Sequence, residues 1–320
     1  MTVHPATPAP RPASAARPSP ASPWTPARLA VLMGLSALAV FAMLDAWADI
    51  LVFALRQEEN SHVLLVPIVA GWLFYVRRDA LVRYRPRYGW GGPAVIALAL
   101  GLALAGYYHA MQALWHLGAV VALLGAVWTC TGLGIVTRAA PAFVVLLFLV
   151  PVPGVVRQAF ALPLQQATAA ATQFLFELAG IEILRLGNLI RYNATDVAVA
   201  EACNGMRMVW ALLLVSFVVA FASPLRPYVR VSVLLLSPVS ALACNILRMV
   251  PTVLAYGHWS TQNADLFHDL SGWAMVGLAF LLVLGYVRLL QWIGLPVEQG
   301  ETWGDDDGPS PETPRAGAMA

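Results

Sequence analysis

The chain has 320 residues, of which 59% are hydrophobic and 11% charged, with a net charge of +2. A soluble domain is about 45–50% apolar and about 25% charged, so this composition excludes an ordinary cytosolic enzyme, and its apolar mass excludes a disordered chain. With 19 basic residues against 17 acidic ones there is no nucleic-acid footprint.

Residues 1–27 are rich in Pro, Ala, Ser and Thr and read as a disordered tail. They do not read as a signal peptide, because the apolar run from Leu29 is long and lacks a compact cleavage region. Eight candidate spans follow: Leu29–Phe53, Val63–Val76, Pro93–Tyr108, Leu117–Val136, Pro141–Val156, Asn204–Ala222, Val229–Tyr256 and Ser271–Trp292. The second is short, and Pro238 and Pro251 are expected to interrupt the seventh. Arg157 to Gly180 carries Gln165, Gln166, Gln173 and Glu177, the pattern of an amphipathic helix lying at an interface. Ile181–Ala200 alternates apolar and polar residues and predicts a short hairpin outside the bilayer, with Asn193 and Asp196 near its turns. Residues 295–320 form an acidic, disordered tail. The fold class is therefore an all-α integral membrane bundle of about eight transmembrane helices, with its membrane domain over residues 28–294, an interfacial helix and a short extracytoplasmic segment.

Arginine placement sets the orientation. Arg77, Arg78, Arg83, Arg85 and Arg87 crowd one loop against a single carboxylate, Asp79, so that loop is cytoplasmic. Counting spans from it puts Arg28, Arg138, the Arg226–Arg230 loop and Arg288 inside as well. His62, Cys203, Arg248 and His268 then all reach the outer face.

Three cysteines, Cys130, Cys203 and Cys244, make no disulfide framework, and no Cys/His cluster predicts a metal site or a cofactor. Cys203 opens the sixth span. A thiol at a helix N-terminus meets unpaired N–H groups and the positive end of the macrodipole, and Arg207 follows one turn on; both favour thiolate. The pattern alone leaves Cys203 open between a nucleophile and a small buried hydrophobe. Cys130 and Cys244, inside apolar spans, read as buried. Arg248 within apolar sequence costs about 2.5–3.5 kcal/mol at a bilayer centre, so it needs a polar partner, a cavity or a path to the interface. Asn245, three residues earlier, shares its stripe. His268 stands before the eighth span as a candidate base. Together, Cys203, Arg248 and His268 supply nucleophile, oxyanion stabiliser and base for acyl transfer.

These motifs resemble the exosortase/archaeosortase family of membrane cysteine transpeptidase-proteases, over about Asn60 to Trp292. Ser61-His62-Val63 through Pro67, followed by Trp72 and Arg77-Arg78, resembles the family's Ser-His-Gly…Pro segment, with Val63 in place of its Gly. Ala202-Cys203-Asn204-Gly205-Met206-Arg207 matches the signature carrying the nucleophile. Asn245-Ile246-Leu247-Arg248 resembles the motif of the catalytic arginine, and His268-Asp269-Leu270-Ser271-Gly272 that of the catalytic histidine. The resemblance implies catalytic Cys203, Arg248 and His268, with Arg207, Asn245, Glu201 and His62 supporting them or binding substrate. It implies secreted substrates ending in a Pro-Glu-Pro-like motif, a hydrophobic helix and an Arg-rich end, cleaved at the outer face of the inner membrane. The rival reading is a transporter or polysaccharide-export component, since intramembrane arginine and broken helices also mark transport pathways.

Overall fold

The computed structural model describes residues 24–298, apart from residues 57, 194 and 200–204 and the side chains of residues 58, 59 and 205–207. The terminal segments predicted as tails lie outside the described residues up to residue 23 and from residue 299. Residues 296–298 do pack: Val297 is buried, Arg226 donates its N–H to the Val297 carbonyl, and Tyr228 donates to the Pro296 carbonyl. The exit from the last helix is thereby tied to a turn of the bundle.

Helix α1 (Pro26–Ala42) starts at Thr25, whose hydroxyl accepts from the Arg28 N–H. After Met43 the chain turns by 72° into α2 (Leu44–Arg56), so the first predicted span is broken. A 3-10 segment (Glu58–Leu65) leads to α3 (Val66–Val76), and α4 (Arg78–Arg83) follows at once. Helices α5 (Gly91–Tyr108) and α6 (Gln112–Thr131) pack as a tight pair. A Cβ on Gly118 would stand 2.8 Å from the Ala99 carbonyl oxygen, the close backbone approach that small residues permit between membrane helices. Gly132, at φ 82°, ends α6 in the left-handed region that Gly adopts without strain. Then come α7 (Leu133–Arg138), α8 (Ala140–Val144) and a 3-10 turn (Val145–Leu149). Residues 150–153, with Pro151 and Pro153, are extended, and α9 (Gly154–Leu178) leaves them at 87° to the preceding helix.

A three-stranded antiparallel sheet follows: β1 (Leu184–Leu186), β2 (Leu189–Tyr192) and β3 (Thr195–Ala198). It extends the expected hairpin by one strand. Gly187 and Asn193, with φ of 67° and 48°, hold the two turns, as two-residue hairpin loops require. Asp196 sits inside β3 rather than at a turn, opposite Arg191. The buried sheet face, with Ile190 and Val197, joins Phe176 of α9 and Met249 and Val253 in one packed cluster.

The chain ends in α10 (Gly205–Ala222), α11 (Pro227–His258) and α12 (Thr261–Trp292). α11 is continuous through Pro238 and Pro251, contrary to the interruption expected from sequence. Pro238 cannot donate to the Leu234 carbonyl, and the Ser237 hydroxyl does so instead at 3.1 Å. α12 begins ten residues before the predicted span, because Ser260 starts a helix that carries its polar first turns beyond the apolar stretch. At 1.5 Å per residue each of these two helices is about 48 Å long, more than the ~30 Å hydrocarbon layer.

The protein is an all-α membrane bundle with a small sheet at one end. Four helices, α5, α6, α11 and α12, are long and apolar enough to cross a membrane, and each of the two bent pairs adds one more if counted as a single span. Two further apolar segments, residues 60–76 and 208–222, are shorter. These two account for the difference from the eight spans expected.

Candidate active site

Arg248 lies on α11 and is 5% exposed. Its Nη2 donates to Asn245 Oδ1 at 3.4 Å, one helical turn back, as their spacing suggested. Asn245 is itself buried, and its Nδ2 reaches Thr168 Oγ1 on α9 at 3.4 Å. The Thr168 hydroxyl in turn donates to the Leu164 carbonyl at 2.9 Å. A buried polar chain thus runs from α9 through Asn245 to the guanidinium, which gives the buried cation polar partners. The helix next to it supplies room. A Cβ built on Gly272 of α12 would come within 2.7 Å of Arg248 Nη1, so the guanidinium lies against bare backbone there.

His268 precedes Gly272 by four residues and so shares its face of α12. It lies within the helix, in its third turn, rather than just before it. Its side chain is 21% exposed, with Nδ1 at 3.2 Å from Asp269 Oδ1. Its Nε2 is buried and has no hydrogen-bond partner among the described residues. When Nδ1 carries the proton toward Asp269, Nε2 is left with a lone pair. The structure therefore brings an arginine and a histidine to one stretch of the α11–α12 interface.

Cys203 and Glu201 lie outside the described residues, as does the Arg207 side chain. Their flanks are described, and each belongs to a packed cluster that includes residues of α11. Val199, fully buried, belongs to the cluster that contains Met249 and Val253, just beyond Arg248. Met208 belongs to the cluster that contains Ala241 and Cys244, just before it. Cys244 and Cys130 are buried thiols, as expected from their apolar surroundings.

His62 is separate from this pair. It is 7% exposed and stacks on Trp210 of α10, with ring centroids 6.3 Å apart and planes 14° apart. Trp210 is about 200° around α10 from Met208, whose face meets α11. Between them, His62 and Trp210 form one wall of a cavity of about 640 Å³ that neither Arg248 nor His268 lines.

Residues 47–285, three quarters of the chain, match the sequence profile of transmembrane exosortases. The chain belongs to the transmembrane exosortase family. Membership makes it a membrane-embedded protein of a family of cysteine transpeptidase-proteases that process the sorting signals of secreted proteins. No curated protein matches the chain, and no solved structure does. The matched region of this exosortase starts in α2 and ends in α12, and so takes in Arg248, His268 and the segment with Cys203.

Two residues near these side chains carry no signal of their own in the sequence. Thr168 is one of several small polar residues on α9, and nothing in its spacing ties it to Asn245. Trp210 read as one more apolar residue of its span. Gly272 belongs to the histidine motif, but its contact with Arg248 depends on how two helices pack.

Proposed function

We propose that this exosortase cleaves the C-terminal sorting signal of secreted proteins through a thioester on Cys203, with Arg248 and His268 as its partners. The observation that carries the reading is the meeting of Arg248 with the Gly272 face of α12, one turn from His268.

His268 Nε2 takes the thiol proton, and the thiolate attacks the carbonyl carbon of the scissile peptide bond. The Arg248 guanidinium stabilises the oxyanion that forms, a contribution worth about 2.7–4 kcal/mol when one such donor is removed. The tetrahedral intermediate collapses as His268 returns the proton to the leaving amine, and the chain's acyl portion stays on sulfur as a thioester. Water, or an acceptor amine or hydroxyl, then attacks the thioester. His268 takes its proton, and the thiol is restored when that proton returns to sulfur. Glu201 and Arg207 flank the nucleophile; Asn245 holds Arg248, and His62 belongs to the substrate side.

Orientation supports an outward-facing site in the inner membrane. Arg77 donates to the Phe221 carbonyl at 2.7 Å, at the C-terminal end of α10, whereas the sheet feeds the N-terminal end. The two ends of that 18-residue helix are about 27 Å apart. With the arginines inside, the sheet and the Cys203 segment are outside. α9 then lies along the outer surface after the 87° bend, and the substrate's basic end stays inside while its motif emerges beside the site. The substrate motif is Pro-Glu-Pro-like.

The test is Cys203→Ala in cells that co-express a substrate with such a tail. Full-length substrate accumulates if the reading holds. Unchanged processing removes Cys203 from the chemistry.

A further inference from the structure

Tyr192, the last residue of β2, has no part in the catalytic scheme, yet it stands where the sheet meets two helices. On one side its ring packs against Phe176 of α9, with centroids 6.0 Å apart. On the other side it lies on the last turn of α11. A Cβ built on Gly257 would overlap Tyr192 Cδ1, so the ring rests on bare backbone there. The His258 ring meets it edge-on at 5.5 Å, and the Tyr192 hydroxyl and His258 Nε2 are 3.0 Å apart. Asn193, in the turn that follows, donates to the Gly257 carbonyl at 3.4 Å. The same sheet holds α9 through polar side chains. Arg185 Nε of β1 donates to Gln173 Oε1 at 2.8 Å, and Asn188 Nδ2, before β2, donates to Gln165 Oε1 at 3.2 Å.

We infer that Tyr192 is a positioning residue for Arg248. Wedged between Phe176 and the Gly257–His258 turn, it sets α9 against α11 at the separation at which Thr168 holds Asn245, and through Asn245 the guanidinium. The inference rests on the peptidase reading above and adds a residue which that reading leaves unused. Thr168 lies in sequence between Gln165 and Gln173, the two residues of α9 that the sheet grips. Its contact with Asn245 is 3.4 Å long, so a shift of a few tenths of an ångström between α9 and α11 breaks it. A contact so close to its limit needs the two helices held by something stiff. A tyrosine suits that task, because its ring offers a large rigid face and its hydroxyl finds a polar partner at the edge. Gly257 has the matching role, since any side chain there would push the ring out of its seat.

Kinetics of the full-length protein in membranes, on a substrate with a sorting-signal tail, test this. Gly257→Ala adds one methyl where the ring now lies, at a helical position that alanine favours, so the protein should accumulate normally. Its turnover rate should fall at least fivefold while the substrate concentration for half-maximal rate stays the same. Tyr192→Leu should fall as far, whereas Tyr192→Phe, which keeps the wedge, should retain at least half the wild-type rate. Coupling decides the matter. Thr168→Val should slow the wild type several-fold but change the rate of Gly257→Ala less than twofold, because the contact it removes is already broken. Should Gly257→Ala fail to accumulate, the same comparison is made in Tyr192→Leu; failure of both to accumulate overturns the inference, since Tyr192 would then serve the fold as a whole. Effects of Gly257→Ala and Thr168→Val that simply multiply also overturn it. So does a wild-type rate in Gly257→Ala, Tyr192→Leu or Thr168→Val, a change confined to the half-maximal concentration, or a Tyr192→Phe as slow as Tyr192→Leu. Processing by Cys203→Ala would instead defeat the peptidase reading, a separate result from any of these.

Discussion

Arg248 and Gly272 meet across the α11–α12 interface, where a side-chain carbon on Gly272 would lie 2.7 Å from the guanidinium. That contact sets the arginine's tip against the helix that carries His268. It gives the glycine of the histidine motif a physical reason: a side-chain carbon there displaces the guanidinium.

Gly272→Ala should therefore lower substrate processing about tenfold or more, equivalent to about 1.4 kcal/mol of lost transition-state stabilisation. The added methyl lies within α12, where alanine favours helix, so membrane insertion and thermal stability should change little. The check is processing rate beside the amount of folded protein in membranes. Equal rates for the variant and the wild type would show that the close contact has no catalytic consequence.

Thr168 extends the same argument to α9. Its hydroxyl accepts from Asn245, which holds Arg248. Thr168→Val keeps the shape but leaves the Asn245 amide without this acceptor, a loss of about 1–3 kcal/mol for a buried polar group. The turnover rate should fall several-fold while the substrate concentration for half-maximal rate stays the same, and Thr168→Ser should restore most of the loss. A variant altered only in half-maximal concentration would assign Thr168 to substrate binding instead.

His268 and Asp269 should differ in size of effect. Removing a general base typically costs about 10²–10⁴ in rate, and His268→Ala is expected within that range. Asp269 is 74% exposed in its side chain, so Asp269→Asn should cost far less, by letting the imidazole adopt either tautomer. Rate measurements against pH on the two variants distinguish them: the limb that reports the base should persist in Asp269→Asn and vanish in His268→Ala.

Much of the fold was legible because apolar segment length follows from the thickness of the bilayer. α5, α6, α11 and α12 stand close to where hydropathy placed them. The breaks at Met43 and at residues 150–153 were not legible, since a bent apolar pair and a single span have the same composition. Pro238 misled in the other direction, because the rescue by Ser237 lies in side-chain geometry that a proline count ignores. In the site, Asn245 and Arg248 were readable from a three-residue spacing on one helix. Thr168, 77 positions away from Asn245, needed tertiary packing to be found.

The sheet over α9 and α11 carries its own pH dependence. Arg191 Nε and Nη2 contact both carboxylate oxygens of Asp196, at 2.5 and 2.7 Å, across the β2–β3 pair. Hydrogen bonding to Arg191 holds the Asp196 carboxyl below its ordinary range. A depressed carboxyl contributes stability that is present above its unfolded-state value and lost as pH falls through the folded one. Acidification below the usual aspartate range should therefore loosen the hairpin, seen as faster hydrogen exchange in β2 and β3. Asp196→Asn should show the looser sheet at neutral pH and lose the acid dependence. An acid transition of the hairpin unchanged in Asp196→Asn would place its cause elsewhere.

The most direct test is chemical: trap the purified protein during turnover of a sorting-signal substrate, then map the adduct by peptide mass spectrometry. A hydroxylamine-labile acyl group from the substrate on Cys203, absent in Cys203→Ala, is the predicted result. Substrate cleavage with no acyl group on Cys203 at any time, continuing in the alanine variant, would contradict it.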